Sequence, residues 1–352
     1  MRIIQILPVI AFGDAIGNHV IALSKIFNDN GYKCKVYAEV VDSRLPVGTA
    51  QSIEQYKKLD GDVILYHMST GSPLNRRVLD YGVPVILNYH NITPPEFFAK
   101  YNKAAEKSCK DAREDLEYLA DKVQGCISDS QYNKQELVDL GYTCKMTVIP
   151  ILIAFDDYKK KPDNEVIKEC KDGYTNILFV GRVVPNKKQE DLIETFYYYK
   201  KHYNPKSRLI IAGSFAGIDD YAKELKWYVN WLELEDVVFT GQISFSKILA
   251  YYHAADMFLC MSEHEGFCVP LVESMYFGVP IIACESTAIA DTLGNAGILL
   301  QEKKPLETAA VMNYLMEHEE LQEAIKENQK ERLEQFEHKR IADKFLDFFA
   351  KL

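Results

Sequence analysis

Two series of short apolar runs, each run set between amphipathic stretches, restrict this chain more than anything else in it. The first series is Ile3–Ile10, Cys34–Val40, Val63–Met68, Val83–Tyr89, Gly125–Ser128 and Met146–Ile151. The second is Ile177–Val180, Leu209–Ala212, Val237–Thr240, Met257–Met261, Pro280–Ala283 and Ile298–Leu300. Apolar runs that alternate with helical patterns mark parallel strands buried on both faces and joined by crossover helices. Between the series, residues 153–174 are charged and weakly periodic, which reads as a linker or a peripheral segment. A chain of 352 residues is also too long for one comfortable core. The fold class predicted is therefore α/β, with two doubly wound, Rossmann-like domains in tandem, 1–153 and 154–338. From Pro305 onward the pattern is helical, and the stripe in "IADKFLDFFAKL" must bury somewhere.

Composition removes several classes of function. The net charge is −10 and no Lys/Arg-rich run stands out, which argues against nucleic acid as the main partner. The opening "MRIIQILPVIAFGDAIGNHV" runs straight into a glycine turn without a small-residue cleavage site, so it reads as a first buried strand and not as a signal peptide. No apolar run approaches the length of a bilayer span. The eight cysteines are scattered, several within apolar runs, which fits buried reduced thiols in a cytoplasmic protein better than zinc ligands or disulfides.

In open α/β sheets, ligands lie at the carboxyl ends of the strands, where helix N-termini offer unpaired N–H groups. Three loops qualify. In "PVIAFGDAIGNHVIAL" a strand meets Gly13 and Gly17 before a helix; the spacing is not G-x-G-x-x-G, and a tight ligand-free turn and an anion site both remain open. In "ILFVGRVVPNKKQEDLIETF" Arg182 and Lys187 flank one loop, where two cations can clamp a diphosphate. In "MFLCMSEHEGFCVPLVESMYFGVPIIA" the backbone N–H groups of Gly266, Phe267, Cys268 and Val269 face the same rim. There Glu265 sits in the loop, and Glu273 is expected in the first turn of a helix that Pro270 helps to start.

With these loops in place, the chain resembles the retaining glycosyltransferases of family four, which have the GT-B fold: two Rossmann-like domains facing a central cleft. "FVGRVVPNKKQEDLI", "VVFTGQIS", "ILAYYHAADMFLCMSEHEGFCVPLVESMYFGVPIIA" and "ADTLGNAGILL" follow one another in that family's order, with the E-(x)7-E pattern of Glu265 and Glu273 the most specific element. The first half matches more loosely, at Gly13/Gly17, at "YHNIT" around His90 and at "SDSQYNKQEL". The resemblance implies transfer of a hexosyl group from a UDP- or GDP-sugar to a saccharide or glycolipid, in cell-surface polysaccharide assembly. The nucleotide sugar would be a substrate, with no cofactor and no metal. Arg182 and Lys187 would stabilise the leaving diphosphate, and Glu273 would accept from the ribose hydroxyls. Glu265 with the Gly266–Cys268 amides would orient the sugar, and Gly241 to Ile243 would border the base. Gly17 N–H would touch a phosphate, His90 would lie near the reacting carbon, and the last helix, 339–352, would pack back on the first domain.

Two departures stand out. Lys188 occupies a position where the family often has glycine, and "VIPILIAF" replaces an Asn-Gly turn common in relatives. The rival readings are a sugar-nucleotide epimerase or a phosphorylase of the same architecture, and a sugar-binding protein without chemistry. Peripheral membrane contact is also open, although "AKYNKAAEKSCKDAREDLEYLA" mixes both charge signs as an ordinary solvated face does.

Overall fold

The computed structural model describes residues 1–352, which form two compact units. Unit 1 comprises Met1–Glu96, Lys103–Phe155 and Phe336–Leu352; unit 2 comprises Phe97–Asn102 and Asp156–Gln335. The divisions at 155/156 and 335/336 stand beside the expected 153/154 and 338/339, and the short segment 97–102 leaves the first half of the chain to join unit 2.

Unit 1 is built on seven parallel strands: β1 (Arg2–Ile10), β2 (Lys33–Val41), β3 (Gln51–Ser52), β4 (Asp62–Met68), β5 (Val85–Tyr89), β6 (Gly125–Ser128) and β7 (Lys145–Val148). Their order across the sheet is β3-β2-β1-β4-β5-β6-β7, reversing direction of growth beside β1. Every residue of β4, β5 and β6 is buried, as a sheet covered on both faces requires. One covering layer comes from the far end of the chain. Ile341, Phe345, Phe348 and Phe349 of the helix His338–Ala350 pack in one core with Ile3, Leu23, Phe27, Leu65, Ile86 and Ile127. Their near-complete burial removes a large aromatic area from water.

Unit 2 has six parallel strands: β8 (Thr175–Val180), β9 (Ser207–Ala212), β10 (Val237–Gly241), β11 (Met257–Cys260), β12 (Ile281–Cys284) and β13 (Ile298–Leu300), ordered β10-β9-β8-β11-β12-β13. Strands β8 and β11 are neighbours although they are far apart in sequence, because growth of the sheet reverses there. Their carboxyl ends are the place a doubly wound sheet offers a ligand.

The segment read as a linker carries structure of its own. A helix, Asn164–Cys170, starts where the Asp163 side chain accepts the N–H groups of Glu165 and Val166 at 3.0 and 3.3 Å. Charged composition hid it, and Asp163, a favoured N-cap residue, was the one local signal. The string Asp60-Gly61-Asp62 lies at the amino end of β4, opposite the ligand end of the strand. There Asp62 is buried and pairs with Arg2 at 2.5 Å.

Candidate functional site

In unit 2 the first part of the site is the turn after β8. Gly181 N–H donates to Ala212 O at 3.0 Å and Val183 N–H to Ser214 O at 2.9 Å, so the chain crosses closely over the end of β9. A Cβ on Gly213 would lie 1.8 Å from the Gly181 carbonyl oxygen; only glycine fits there. This crossing presents Arg182, which is exposed and takes part in none of the ion pairs. A short turn, Pro185–Lys187, then leads into the helix Gln189–His202. Lys188, between them, has φ +53°, the left-handed conformation that a glycine adopts without strain. Its ammonium is shared by Glu190 at 3.3 Å and Glu263 at 3.6 Å. The neighbouring Lys187 turns the other way, onto Glu265.

The second part is the loop between β11 and the helix Val269–Phe277. It is clamped from both sides. Glu263 N–H donates to the Asn186 carbonyl at 2.8 Å, and Asn186 Nδ2 donates to His264 O at 2.9 Å. On the other side Thr287 Oγ1 accepts the Glu265 N–H at 2.8 Å and donates to the Glu265 carbonyl at 2.9 Å. Glu265 is thereby held with its carboxylate buried against Lys187. Burial opposes the charge on Lys187, but the Glu265 carboxylate more than offsets it and the lysine pKa is raised. At the helix start the N–H groups of Gly266, Cys268 and Val269 have no protein acceptor, as is usual in a first helical turn, which can take an anion.

Glu273 is the fifth residue of this helix, just past the first turn in which the sequence placed it. Its side chain stays partly exposed, and two tyrosines hold the carboxylate. Tyr252 donates to one carboxylate oxygen at 2.6 Å and Tyr158 to the other at 2.8 Å. Burial raises the Glu273 pKa, and the two tyrosine hydroxyls pull it back only in part. Gly241 closes β10 at φ +65°, with Ile243 half-buried two residues on at the same end of the sheet. Asn186, Thr287, Gly213, Tyr158 and Tyr252 were not anticipated. Asn186 lies beside Lys187 but binds the Glu263–His264 backbone 77 to 78 residues on, and Thr287, Tyr158 and Tyr252 are tertiary partners outside the loop, so no spacing announces these contacts; Gly213, at the carboxyl end of an apolar run, was the one visible signal.

In unit 1 the glycine loop after β1 has Gly13 at φ +75° and leads into the helix Ala15–Asp29. The expected phosphate contact of Gly17 N–H is already taken: it donates to the Asp14 side chain, the helix cap, at 3.0 Å. A Cβ on Gly17 would come within 2.8 Å of the Ala11 carbonyl oxygen, which explains the glycine without a ligand.

His90 follows β5 and belongs to a buried network. Gln5 Nε2 donates to Val20 O at 3.1 Å, so Gln5 Oε1 faces His67 Nε2 as an acceptor at 3.0 Å. His67 therefore carries its proton on Nε2 and accepts through Nδ1 from His90 Nε2 at 2.9 Å. His90 Nδ1 pairs with Asp129 Oδ2 at 2.8 Å. The His90 side chain is 1% exposed and both its nitrogens are spent, so the ring has no lone pair to offer as a general base.

Comparisons with known proteins bear on the family and the fold. Residues 160–332 match the family model described as "Glycosyl transferases group 1". The chain is 30% identical over 169 residues to the alpha-monoglucosyldiacylglycerol synthase of Streptococcus pneumoniae, a match covering 46% of this chain and 37% of that one. It is 23% identical over 232 residues to O-antigen chain mannosyltransferase B of Escherichia coli, covering 61% and 56%. The chain thus spans between about a third and a little over half of the length of these relatives. HepE of Anabaena, solved in complex with UDP-glucose, superposes with a TM-score of 0.77 at 19% identity over all of both chains. WaaG, a glycosyltransferase involved in lipopolysaccharide biosynthesis, gives 0.74 at 12% identity over 98% of this chain and 99% of that one. The fold is GT-B. No helix is long and apolar enough to cross a membrane.

Proposed function

The chain belongs to the family of group 1 glycosyl transferases, and from that premise we propose that it is a retaining, metal-independent hexosyltransferase. It moves a sugar from a nucleoside diphosphate carrier to a saccharide or glycolipid acceptor on the cytoplasmic face of cell-surface polysaccharide or glycolipid assembly. The observation that carries the reading is the convergence, at the ends of β8 and β11, of an unpaired Arg182, the Lys187–Glu265 pair and the orphan amides of Gly266, Cys268 and Val269. Two cations and a helix N-terminus suit a diphosphate that gains charge as it leaves. A buried carboxylate beside amides suits the hydroxyls of a bound hexose.

The catalytic roles go to Arg182 and Lys187, which hold the leaving group, and to Glu265, which orients the sugar. Glu273, aligned by Tyr252 and Tyr158, accepts from the ribose, and Gly241 to Ile243 border the base. Gly13 and Gly17 shape the rim of unit 1, and Gly17 N–H reaches an anion only when Asp14 releases it. His90 enters as a shaping residue, not as a base. A phosphate oxygen of the donor takes the acceptor proton, as the family resemblance implies.

Among relatives, the names record glucose and mannose, and one solved neighbour holds UDP-glucose. A thermal-shift panel of nucleoside diphosphates therefore comes first, followed by product analysis with the preferred sugar nucleotide. Retained anomeric configuration in a transferred sugar supports the reading. A new sugar nucleotide formed without acceptor would instead establish an epimerase.

A further inference from the structure

Two clusters in the chain bring three metal-ligating side chains together, each with its donor atoms within 4.8 Å of one another. They are His19, His67 and His90 in unit 1, and Cys260, Glu265 and Cys268 in unit 2. The histidine cluster is excluded by a single hydrogen bond. His19 Nδ1 accepts the fixed backbone N–H of Leu152 at 2.9 Å, so the neutral ring carries its proton on Nε2, the atom that would have to bind the ion.

No such obstacle exists in unit 2. We infer that Cys260, Glu265 and Cys268 form a binding site for a thiophilic divalent cation of the zinc and cadmium class. All three residues are buried, with exposures of 1%, 6% and 7%. Tetrahedral ligation at Zn–S of about 2.3 Å and Zn–O of about 2.1 Å needs donors roughly 3.5–3.8 Å apart, a spacing this cluster admits.

The backbone adds an independent observation. Cys268 sits at φ +69°, ψ +67°, where a residue with a Cβ costs on the order of 1–3 kcal/mol and glycine is favoured. Its thiol faces inward, within 4.8 Å of the donor atoms of Cys260 and Glu265, and not out to solvent. The charges also balance. Binding expels two thiol protons; two thiolates and a carboxylate around a divalent ion leave one net negative charge, which the adjacent Lys187 ammonium neutralises. The seven residues between the two cysteines give no zinc-ribbon spacing, so the sequence alone conceals the site.

One consequence rests on the function proposed above. An ion that takes the Glu265 carboxylate and holds Lys187 beside it withdraws both from the nucleotide sugar, so the cation should compete with the donor.

Cadmium titration of the full chain under nitrogen tests the site without any nucleotide. The expected result is an ultraviolet thiolate-to-cadmium band that saturates at one tightly bound ion per chain. It should persist in Cys126→Ser, which breaks the other thiol pair, Cys126–Cys144 at 3.5 Å. In Cys260→Ser the affinity should fall about tenfold or more, on the scale seen for perturbed metal shells. Cys268→Gly provides a second variant whose backbone is at ease at that φ, in case the serine variant folds poorly. A band unaltered in both unit 2 variants, or one lost in Cys126→Ser, overturns the assignment. Calorimetry of the preferred nucleoside diphosphate, with and without cadmium, then reads the competition separately. Absence of nucleotide binding in both samples would sink the donor reading while leaving the metal site standing.

Discussion

Lys187 and Glu265, 78 residues apart in the chain, meet as an ion pair in which the carboxylate is only 7% exposed. Each compensates the charge of the other. Lys187→Ala and Arg182→Ala are each expected to cost roughly 2–4 kcal/mol of transition-state stabilisation, read from kcat/KM. They should differ in the folded state. Loss of Lys187 strands a buried carboxylate and lowers the melting temperature, whereas loss of the exposed Arg182 does not. A harmless Lys187→Ala beside a crippling Lys188→Ala would show that the neighbouring lysine holds the diphosphate.

Glu273→Ala should weaken nucleotide binding and also destabilise the protein, by about 1–3 kcal/mol, because the Tyr158 and Tyr252 hydroxyls lose their acceptor. The conservative pair Tyr158→Phe and Tyr252→Phe should reduce affinity with smaller losses of stability. Urea denaturation combined with calorimetry measures both, and a Glu273→Ala protein of unchanged stability would contradict the tyrosine-paired arrangement.

Stability should fall with acid. His19 and His67 are held well below the ordinary imidazole value of 6.5, by burial first and then by the charge of neighbouring histidines. Because the unfolded chain takes up these protons more readily than the folded one, the stability they contribute is complete above about pH 6.5. Below that it is lost, at about 1.4 kcal/mol per pH unit per ring, until the folded rings themselves titrate. Denaturation midpoints measured across this range should slope accordingly, and His67→Gln should flatten the slope. A wild-type profile flat between neutrality and about pH 5 would refute the account.

Removing Ile341–Leu352 should expose the face of unit 1 that Phe345, Phe348 and Phe349 cover. Phe345→Ala alone is expected to cost about 3–5 kcal/mol. An unchanged melting temperature in either protein would contradict the packing.

Turnover should continue in excess chelator, and any trace cation removed from Cys260 and Cys268 can only raise it. Asp60→Asn should be silent. Asp62→Asn should keep the specific activity but lower stability, since Asp62 is bound by Arg2, by Tyr56 at 2.9 Å and by the Leu59 N–H at 2.9 Å. Turnover abolished by chelation and restored by magnesium or manganese would mean a differently built donor site.

Much of this fold is legible in the sequence because parallel strands buried on both faces cannot disguise their apolarity. β4, β5 and β12 are continuous apolar runs interrupted by few polar residues. The two-residue β3 escapes because it is polar and exposed. In the site, Arg182, Lys187 and Glu265 were readable from the order strand, loop, helix. What spacing does not convey is who holds them. Thr287 clamps Glu265 from 22 residues away, and Tyr158 reaches Glu273 across 115. The state of His90 was equally hidden, since Gln5, two strands away in the sheet, decides which nitrogen of His67 carries the proton.

The return of residues 336–352 to unit 1 also sets an order of events during synthesis. A ribosome delivers the amino end first, and domains commonly fold as they emerge. Here the first unit to begin is the last that can finish. Residues 156–335 are all translated while the first sheet still lacks its aromatic cover, so the nascent chain carries an open apolar face through the making of the whole second unit. Synthesis of residues 336–352, and not emergence of the first half, is the step that lets the first sheet close.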